Sequence, residues 1–316
     1  MEERIRIGVS ACLLGQPVRY DGMGKLDRYI TGTLGEYLEF VPVCPEVESG
    51  FPVPRETMRL VGDPENPRLL TTRSGVDHTE RMQAWAEKRV RELEQEKLCG
   101  FIFKSDSPSS GLMRVKVYNS KGMAEKKGVG LFARAFTRHF PLLPVEEEGR
   151  LNDAKLRETF IEQLFTLKRW RETLAAGKSM RNLVEFHTRH KLLVLSHSPA
   201  IAKQMGKLVA EGRRMTLGEA FTRYEGLLIE ALRLKSSLKK NMNVLQHIMG
   251  YFKRQLTSDE KQELLDVLDQ YRREYLPLVV PVTLLNHYVR KYDQPYLKQQ
   301  VYLNPHPVAL KLRNHA

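Results

Sequence analysis

Three loops in the first third of the chain carry side chains that are capable of chemistry. They contain Cys12, Cys44 followed by Glu46, and a serine-rich turn that runs from Lys104 to Gly111. Cysteine thiolates act as nucleophiles and as soft metal ligands, and a carboxylate can accept or relay a proton. A turn rich in serine and glycine can also hold a phosphate with its backbone N–H groups, although this turn lacks the P-loop pattern. Each loop by itself is also compatible with an ordinary turn or a buried thiol.

Each of the three loops follows a segment that is predicted to be a strand. Ile5–Ser10 precedes the first loop, Phe40–Val43 the second, and Gly100–Lys104 the serine-rich turn. Residues 78–97 and 129–140 have apolar side chains at helical spacing. Strands that alternate with helices predict an α/β domain with a mostly parallel sheet, in which ligands bind at the carboxyl ends of the strands. We therefore expect the three loops at one edge of one sheet.

The second half of the chain has a different pattern. After Pro144–Arg150, leucines and aromatic residues recur at helical spacing, and glycines and prolines become sparse. Thr257 and Glu260 form a capping-box pattern at the start of one predicted helix. We therefore predict an α/β N-terminal domain with a mostly parallel sheet over residues 1–150, followed by an all-α C-terminal domain over residues 151–316.

The composition is typical of a globular protein. Of the 316 residues, 41% are hydrophobic and 28% are charged, which argues against disorder. No apolar run approaches the roughly 20 residues that a membrane helix needs. Met1–Ile7 lacks the apolar core of a signal peptide, and three cysteines are too few for a disulfide framework. We therefore predict a cytoplasmic location without membrane association, and we predict no protein partner.

The positive charge is concentrated in the second half. Residues 1–150 contain 23 Lys and Arg against 22 Asp and Glu, whereas residues 151–316 contain 28 against 16. An excess of this kind on one domain favours a polyanionic partner, most often a nucleic acid. The alternative is a surface that is basic without any such partner.

Taken together, the three loops resemble those of the thiouracil desulfidase (TudS-like) family. Its members have a loop of the SACLLG type, a CPE segment and a KSxSPSCG loop. This chain has the corresponding segments in the same order, Ser10–Gly15, Cys44–Glu46 and Lys104–Gly111. The second half resembles the YbgA-type helical domain at Phe186–Lys191, Asn243–Lys253 and Pro281–Tyr288. The fused arrangement is similar to the RudS type, which removes sulfur from 4-thiouridine in tRNA.

The resemblance implies an iron–sulfur cofactor. In the family, one cysteine from each loop binds a 4Fe-4S cluster, and the fourth iron has no protein ligand and can bind the substrate sulfur. By this resemblance, the ligand positions here are Cys12, Cys44 and Ser110, and the two cysteines would be the iron ligands. Because a serine matches soft iron poorly, we expect the cluster to be labile or absent and the enzyme to be impaired. Cys99 would not replace the missing thiol, since a strand over residues 99–104 would place it roughly 20 Å from the loop.

The remaining site residues are expected around the same pocket. Glu46 would activate water or relay a proton, and Ser107 would contact the base or shuttle a proton. A surface ion pair or a helix cap remains an alternative for Glu46, and a turn-forming role remains one for Ser107. The expected substrate-binding residues are Lys104, Ser105, Arg19, Tyr20 and Asp21.

Basic residues and aromatic residues alternate in parts of the second half, a pattern that suits phosphate contacts and base stacking. The predicted RNA-binding residues are His187, His190, Lys191, Lys239, Lys240 and Lys253. The first three lie on one face of a predicted helix. Two alternatives are packing inside the helical domain and a solvated helix face. A third is a metal site at the two histidines, but no acidic ligand lies at a suitable spacing.

These observations predict an enzyme that converts 4-thiouridine in tRNA to uridine by a non-redox exchange of sulfur for oxygen. One alternative is a desulfidase of free thiolated pyrimidines, which the basic second half disfavours. Another is a non-catalytic nucleic-acid-binding protein with a decayed cluster site, which Ser110 favours. A third is a regulator that binds phosphate at Ser107–Gly111.

Overall fold

The computed structural model describes residues 4–314, apart from the side chain of Arg213. The chain divides into two compact units, Met1–Phe160 and Ile161–Ala316. The predicted boundary at residue 150 lies shortly before this division. The first unit contains two sheets with helices, and the second is helical, so the predicted fold class is confirmed.

The first sheet is parallel throughout and has the order β2-β1-β5-β8. Its strands are β1 (Ile5–Ser10), β2 (Leu38–Val43), β5 (Phe101–Phe103) and β8 (Val145–Glu147). The second sheet has the order β4-β3-β6-β7 and is mixed, since only β3 and β6 run parallel. Its strands are β3 (Met58–Asp63), β4 (Asn66–Thr71), β6 (Val115–Tyr118) and β7 (Ala124–Gly128).

Among the described residues, three α-helices belong wholly to the first unit: α1 (Pro45–Glu48), α2 (Thr79–Leu93) and α3 (Leu131–His139). Phe101 and Phe103 of β5 stack at 4.1 Å between ring centroids, and Phe136 of α3 lies edge-on to Phe101 at 4.8 Å. A Cβ atom at Gly8 of β1 would lie 2.1 Å from the Phe101 ring, so this position has room only for glycine. The aromatic core therefore fixes β1 against β5, the two strands whose ends carry the first and third loops.

The second unit is built from helices that follow one another at short intervals. They are α4 (Ala154–Ala175), which begins before the division, α5 (Met180–His197), α6 (Pro199–Glu211), α7 (Leu217–Arg233), α8 (Leu238–Gly250), α9 (Ser258–Arg272), α10 (Val279–Lys291) and α11 (Pro295–Lys298). The predicted capping box of Thr257 and Glu260 is present at the start of α9. Trp170 stacks on Tyr224 at 5.3 Å in the centre of this unit. Within residues 4–314, no helix is both long enough and apolar enough to span a membrane.

Candidate active site

The three predicted loops meet at one edge of the parallel sheet. Strands β2, β1 and β5 are neighbours, and their carboxyl ends are Val43, Ser10 and Phe103. A cavity of about 350 Å³ lies where the loops that follow these strands converge. Its lining includes Cys12, Arg19, Tyr20, Cys44, Glu46, Arg55, Lys104, Ser105, Ser107 and Ser110. The cavity therefore occupies the position at which parallel sheets bind ligands.

Both cysteines of the cavity are buried thiols. Burial raises the pKa of Cys12 to about 11, against the opposing effect of the Lys104 charge. Burial, together with the negative charge of Glu46, raises the pKa of Cys44 to about 12. The Cys44 thiol donates to Glu46 Oε2 at 3.6 Å. Without a metal, both thiols would therefore stay protonated at neutral pH.

Glu46 is joined to the serine-rich turn by a short series of hydrogen bonds. The hydroxyl of Ser109, which is 0% exposed, donates to Glu46 Oε1 at 2.5 Å. The hydroxyls of Ser109 and Ser107 are 3.0 Å apart, and Ser107 Oγ also accepts the backbone N–H of Ser110 at 3.0 Å. Arg55 Nη2 lies 3.8 Å from Glu46 Oε2. The two residues expected to be catalytic, Glu46 and Ser107, are thus connected through Ser109, which the sequence analysis did not single out.

Lys104 and Ser105 line the cavity, and both are hydrogen-bonded to Glu148, another residue that the sequence analysis did not identify. Glu148, just after β8, accepts from Lys104 Nζ at 2.5 Å, from the Ser105 hydroxyl at 2.8 Å and from the Ser105 backbone N–H at 2.7 Å. The backbone N–H of Lys104 donates to Ser10 Oγ at the end of β1. The Lys104 charge is therefore paired with a carboxylate, which fixes the direction of the ammonium group.

Of the three substrate-binding residues predicted in the loop after β1, two line the cavity. Arg19 and Tyr20 line the cavity, and the Arg19 guanidinium lies 5.6 Å from the Tyr20 ring centroid. Asp21 is not among the lining residues. Its carboxylate accepts the backbone N–H of Met23 at 3.0 Å and lies 3.5 Å from Arg19 Nη2. Asp21 therefore shapes the turn and positions Arg19, and the alternative of an ordinary turn applies to it.

The donor set at the cavity does not fit a cluster held by three protein thiolates. The two cysteines supply sulfur, and Ser110, which is buried, supplies a hydroxyl. Cluster iron prefers thiolate over hydroxyl oxygen. In the part of the chain that the structure describes, no group of three or more His, Cys, Asp or Glu residues is placed to hold a metal ion. Cys99 is buried beside the amino end of β5, the opposite end from the cavity, as expected.

The helical unit separates the predicted RNA-binding residues into two groups. His190 is 1% exposed, its ring stacks on Phe186 at 3.8 Å, and burial lowers its pKa to about 3, so it is neutral and presents no surface to a phosphate. His187 is half-buried and bonds to the Tyr224 hydroxyl at 3.2 Å. Lys240 Nζ donates to the carbonyl of His197 at 2.6 Å and so caps the end of α5. For these three residues, the packing alternative accounts for the observed contacts.

The other three predicted RNA contacts lie at the surface. Lys239 and Lys253 are exposed, and Lys191 is half-buried. The Lys191 ammonium lies 4.9 Å from the ring centroid of Tyr296, a residue that the sequence analysis did not identify. No regular spacing in the sequence connects Lys191 with Tyr296, because they come together only when α11 folds beside α5.

Comparisons with known proteins match both halves. Residues 7–148 match the family model described as 2-thiouracil desulfurase, and residues 191–307 match a family described as a protein of unknown function, DUF1722. The chain is 27% identical over 165 residues to the uncharacterized protein YbgA of Escherichia coli K12, covering 52% of this chain and 98% of that protein. It is 32% identical over 108 residues to the uncharacterized protein YbbK of Bacillus subtilis 168, covering 33% of this chain and 71% of that protein.

A solved structure is also similar to this chain. It is a [4Fe-4S]-dependent thiouracil desulfidase, TudS, with 31% sequence identity and a TM-score of 0.38, covering 48% of this chain and 95% of that one. The 2-thiouracil desulfurase match lies within the first structural unit, and the DUF1722 match lies within the second. Through its N-terminal unit, which carries the cavity with Cys12, Cys44 and Glu46, the chain belongs to the 2-thiouracil desulfurase family, and that unit is fused to a YbgA-like DUF1722 domain.

Proposed function

We propose that the chain removes sulfur from 4-thiouridine in tRNA and leaves uridine. The observation that carries the proposal is the hydrogen-bonded series Glu46–Ser109–Ser107 in a 2-thiouracil desulfurase domain. The two end residues of the series, Glu46 and Ser107, line the same cavity as Cys12 and Cys44. A carboxylate that is held in place can act as a general base toward water. The match of residues 7–148 to the 2-thiouracil desulfurase family supports a thiolated pyrimidine as the substrate class.

The reaction balances with water alone. Water adds at C4 of the pyrimidine, the C–S bond breaks, and the products are the C4 carbonyl and hydrogen sulfide. No electron donor or acceptor is consumed. Glu46 would take the proton of the attacking water, and the Ser109 and Ser107 hydroxyls would carry a proton toward the departing sulfur.

The cavity residues around the cysteines suit the polar groups of a thiopyrimidine. The Lys104 ammonium and the Arg19 guanidinium can each donate to a ring carbonyl, and Tyr20 offers an aromatic face. Glu148 pairs with Lys104, and Asp21 pairs with Arg19, so each carboxylate orients one of the two cations. We assign these residues to orientation of the base, so that C4 faces Glu46.

The choice of tRNA over a free base rests on the helical half. Residues 151–316 contain 28 Lys and Arg against 16 Asp and Glu, and a small neutral thiopyrimidine gives no reason for such an excess. Access to C4 of a stacked base also requires that the base be exposed or flipped, which an RNA-binding domain would assist. A cytoplasmic location, where tRNA is available, is part of the proposal.

The test measures sulfur loss from two substrates. The unmodified chain and the Ser110→Cys variant are each incubated anaerobically with tRNA that contains 4-thiouridine and, separately, with free 4-thiouracil, after iron and sulfide reconstitution. We expect conversion of the tRNA nucleoside with sulfide release, faster with the Ser110→Cys variant. Glu46→Gln in that variant should slow turnover by about 10²–10⁴-fold.

Two of the alternative functions have their own signatures in this assay. Conversion of 4-thiouracil with none of the tRNA nucleoside would show a free-base desulfidase. The absence of conversion by either chain, with tRNA binding retained, would replace the proposal by a non-catalytic nucleic-acid-binding protein.

A further inference from the structure

A cluster of aromatic and basic side chains lies at the surface of the helical unit. We call Tyr251, Tyr296, His247 and Lys191 the tyrosine platform. The two tyrosine rings stack with centroids 5.1 Å apart and an angle of 20° between their planes. His247 lies edge-on to Tyr251 at 5.9 Å, and the Lys191 ammonium lies 4.9 Å from the Tyr296 centroid. The members come from α5, α8, α11 and the residue after α8, so the platform is a product of the tertiary fold.

The tyrosine platform differs from the aromatic core of the same unit. Tyr224 and Trp170 in that core are fully buried, whereas Tyr251 is 39% exposed and His247 is exposed. An exposed aromatic pair contributes less to stability than a buried one, because water still covers part of both rings. The stacking of Tyr296 on Tyr251 does, however, hold the exposed ring in one orientation, as a binding surface requires.

A positively charged cavity adjoins the exposed side of the platform. Its volume is about 620 Å³, and its lining includes His247, Tyr251, Lys253 and Lys261. No carboxylate is among its described lining residues. The nearby acidic residue Glu260 already accepts from Lys291 at 2.6 Å and caps α9. The cavity therefore combines an aromatic wall with two lysines that no carboxylate of the lining neutralises.

We propose that the tyrosine platform binds an unstacked nucleobase of an RNA strand. The base stacks on Tyr251 within the cavity, and Lys253 and Lys261 contact the phosphates on either side of it. The choice of RNA as the source of the base rests on the proposed function. Charge complementarity favours a nucleic acid over a protein segment, because a polyanion gains from every lysine of the lining and an apolar peptide does not.

The experiment separates stacking from phosphate contact. Binding of the full chain to a fluorescent 12-nucleotide single-stranded RNA is measured over a series of salt concentrations, with a duplex of the same sequence in parallel. Tyr251→Leu removes the aromatic face, Tyr251→Phe keeps it, and Lys253→Gln removes one charge. Tyr275→Leu serves as the matched control, since Tyr275 is 71% exposed elsewhere in the same unit.

Loss of the aromatic face and loss of a charge should affect RNA affinity and its salt dependence differently. Tyr251→Leu should weaken single-strand binding about tenfold at every salt concentration and leave the slope of log affinity against log salt unchanged. Lys253→Gln should flatten that slope by about 0.7. Tyr251→Phe and Tyr275→Leu should bind as the unmodified chain does, and duplex binding should respond little to Tyr251→Leu.

The proposal is overturned if Tyr251→Leu binds single strands normally while its thermal unfolding is unchanged. It is equally overturned if Tyr251→Phe loses as much affinity as Tyr251→Leu, because the ring would then be irrelevant. Retained RNA binding without desulfidation would refute the proposed function and leave the platform standing. Desulfidation of tRNA at a normal rate by Tyr251→Leu, with normal binding, would refute only the platform.

Discussion

A hydroxyl group lies in the same cavity as the two cysteines. Cys12 and Cys44 are buried thiols with raised pKa values, and the third loop presents Ser110 to the same cavity. Soft metal centres stabilise thiolates, so a bound cluster would offset the cost of deprotonating the two cysteines. For a cluster held at these three positions, the Ser110 hydroxyl would replace one of three thiolate bonds.

We predict that Ser110→Cys raises iron binding. After anaerobic reconstitution, the unmodified chain should retain substoichiometric iron, and the variant should approach four irons per chain with broad visible absorption. Cys99→Ser is the control and should change neither result, because Cys99 lies at the other end of β5. Stable four-iron loading of the unmodified chain would show that Ser110 is no defect.

Ser109 is expected to position Glu46. Ser109→Ala removes the 2.5 Å hydrogen bond to Oε1, and hydrogen bonds to charged groups contribute about 1.5–3 kcal/mol. In the Ser110→Cys background we therefore predict a lower urea midpoint and a kcat reduced by about tenfold, with KM nearly unchanged, since the hydroxyl acts through the carboxylate. The exposed Ser120→Ala serves as the control. A change in KM alone would instead place Ser109 in contact with the substrate.

At the level of elements, the parallel sheet explains why the convergence of the three loops could be predicted from the sequence. Adjacent parallel strands end at one edge, so recognising the strands before Cys12, Cys44 and the serine-rich turn was enough to bring the loops together. The partners Glu148 and Ser109 could not be assigned in this way. Glu148 reaches Lys104 only because β8 pairs with β5, and this pairing has no local sequence signal.

The second sheet was largely missed for a different reason. Strand β7, Ala124–Gly128, is exposed along most of its length and has no apolar alternation, so no periodicity marks it. Strand β3 pairs with β4 through a tight connection at Asp63–Asn66. Strand β6 has buried valines that alternate with more exposed residues, as in a half-buried strand.

Helices α4 and α5 are joined by a buried ion pair that should make the helical unit sensitive to acid. Glu162 Oε1 lies 3.5 Å from His197 Nε2 and 3.8 Å from Arg313 Nη2. Despite burial, which acts in the opposite direction, these cations lower the pKa of Glu162 to about 2, and the Glu162 charge raises the pKa of His197. The Glu162 contribution is therefore complete above pH 4.5 and is lost as the pH falls toward 2.

We predict that Glu162→Gln destabilises the chain by about 3–5 kcal/mol at pH 6, where His197 is charged and would lose its partner. Urea unfolding between pH 6 and pH 2 measures the effect. The difference from the unmodified chain should shrink as the pH falls from 4.5 toward 2, because the Glu162 carboxylate is protonated first in the unfolded chain and, near pH 2, also in the folded one. Glu185→Gln on the exposed part of α5 is the control. A difference that stays constant down to pH 2 would contradict the assigned charge.

At the scale of the whole molecule, chemistry and charge are divided between the two halves. The first half is nearly neutral and contains the cavity lined by Cys12 and Cys44. The second half contains nearly all of the excess positive charge. This division predicts that salt affects recognition of a polyanionic substrate and leaves the reaction of a small neutral base unchanged. The structure refines which lysines are suited to this role, because Lys240 caps α5, and Lys239 and Lys253 are exposed.

The double substitution Lys239→Ala and Lys253→Ala should therefore weaken tRNA binding and flatten the plot of log affinity against log salt by up to about two units, since each lost phosphate contact removes close to one unit. Turnover of free 4-thiouracil should be unchanged, because both lysines lie outside the unit that contains the cavity. The control is Lys121→Ala with Lys126→Ala, which removes the same charge from exposed positions of the first unit. Equal effects of the two double substitutions would show that only net charge matters. Equal losses on tRNA and on 4-thiouracil would show that the helical half supports catalysis without binding RNA.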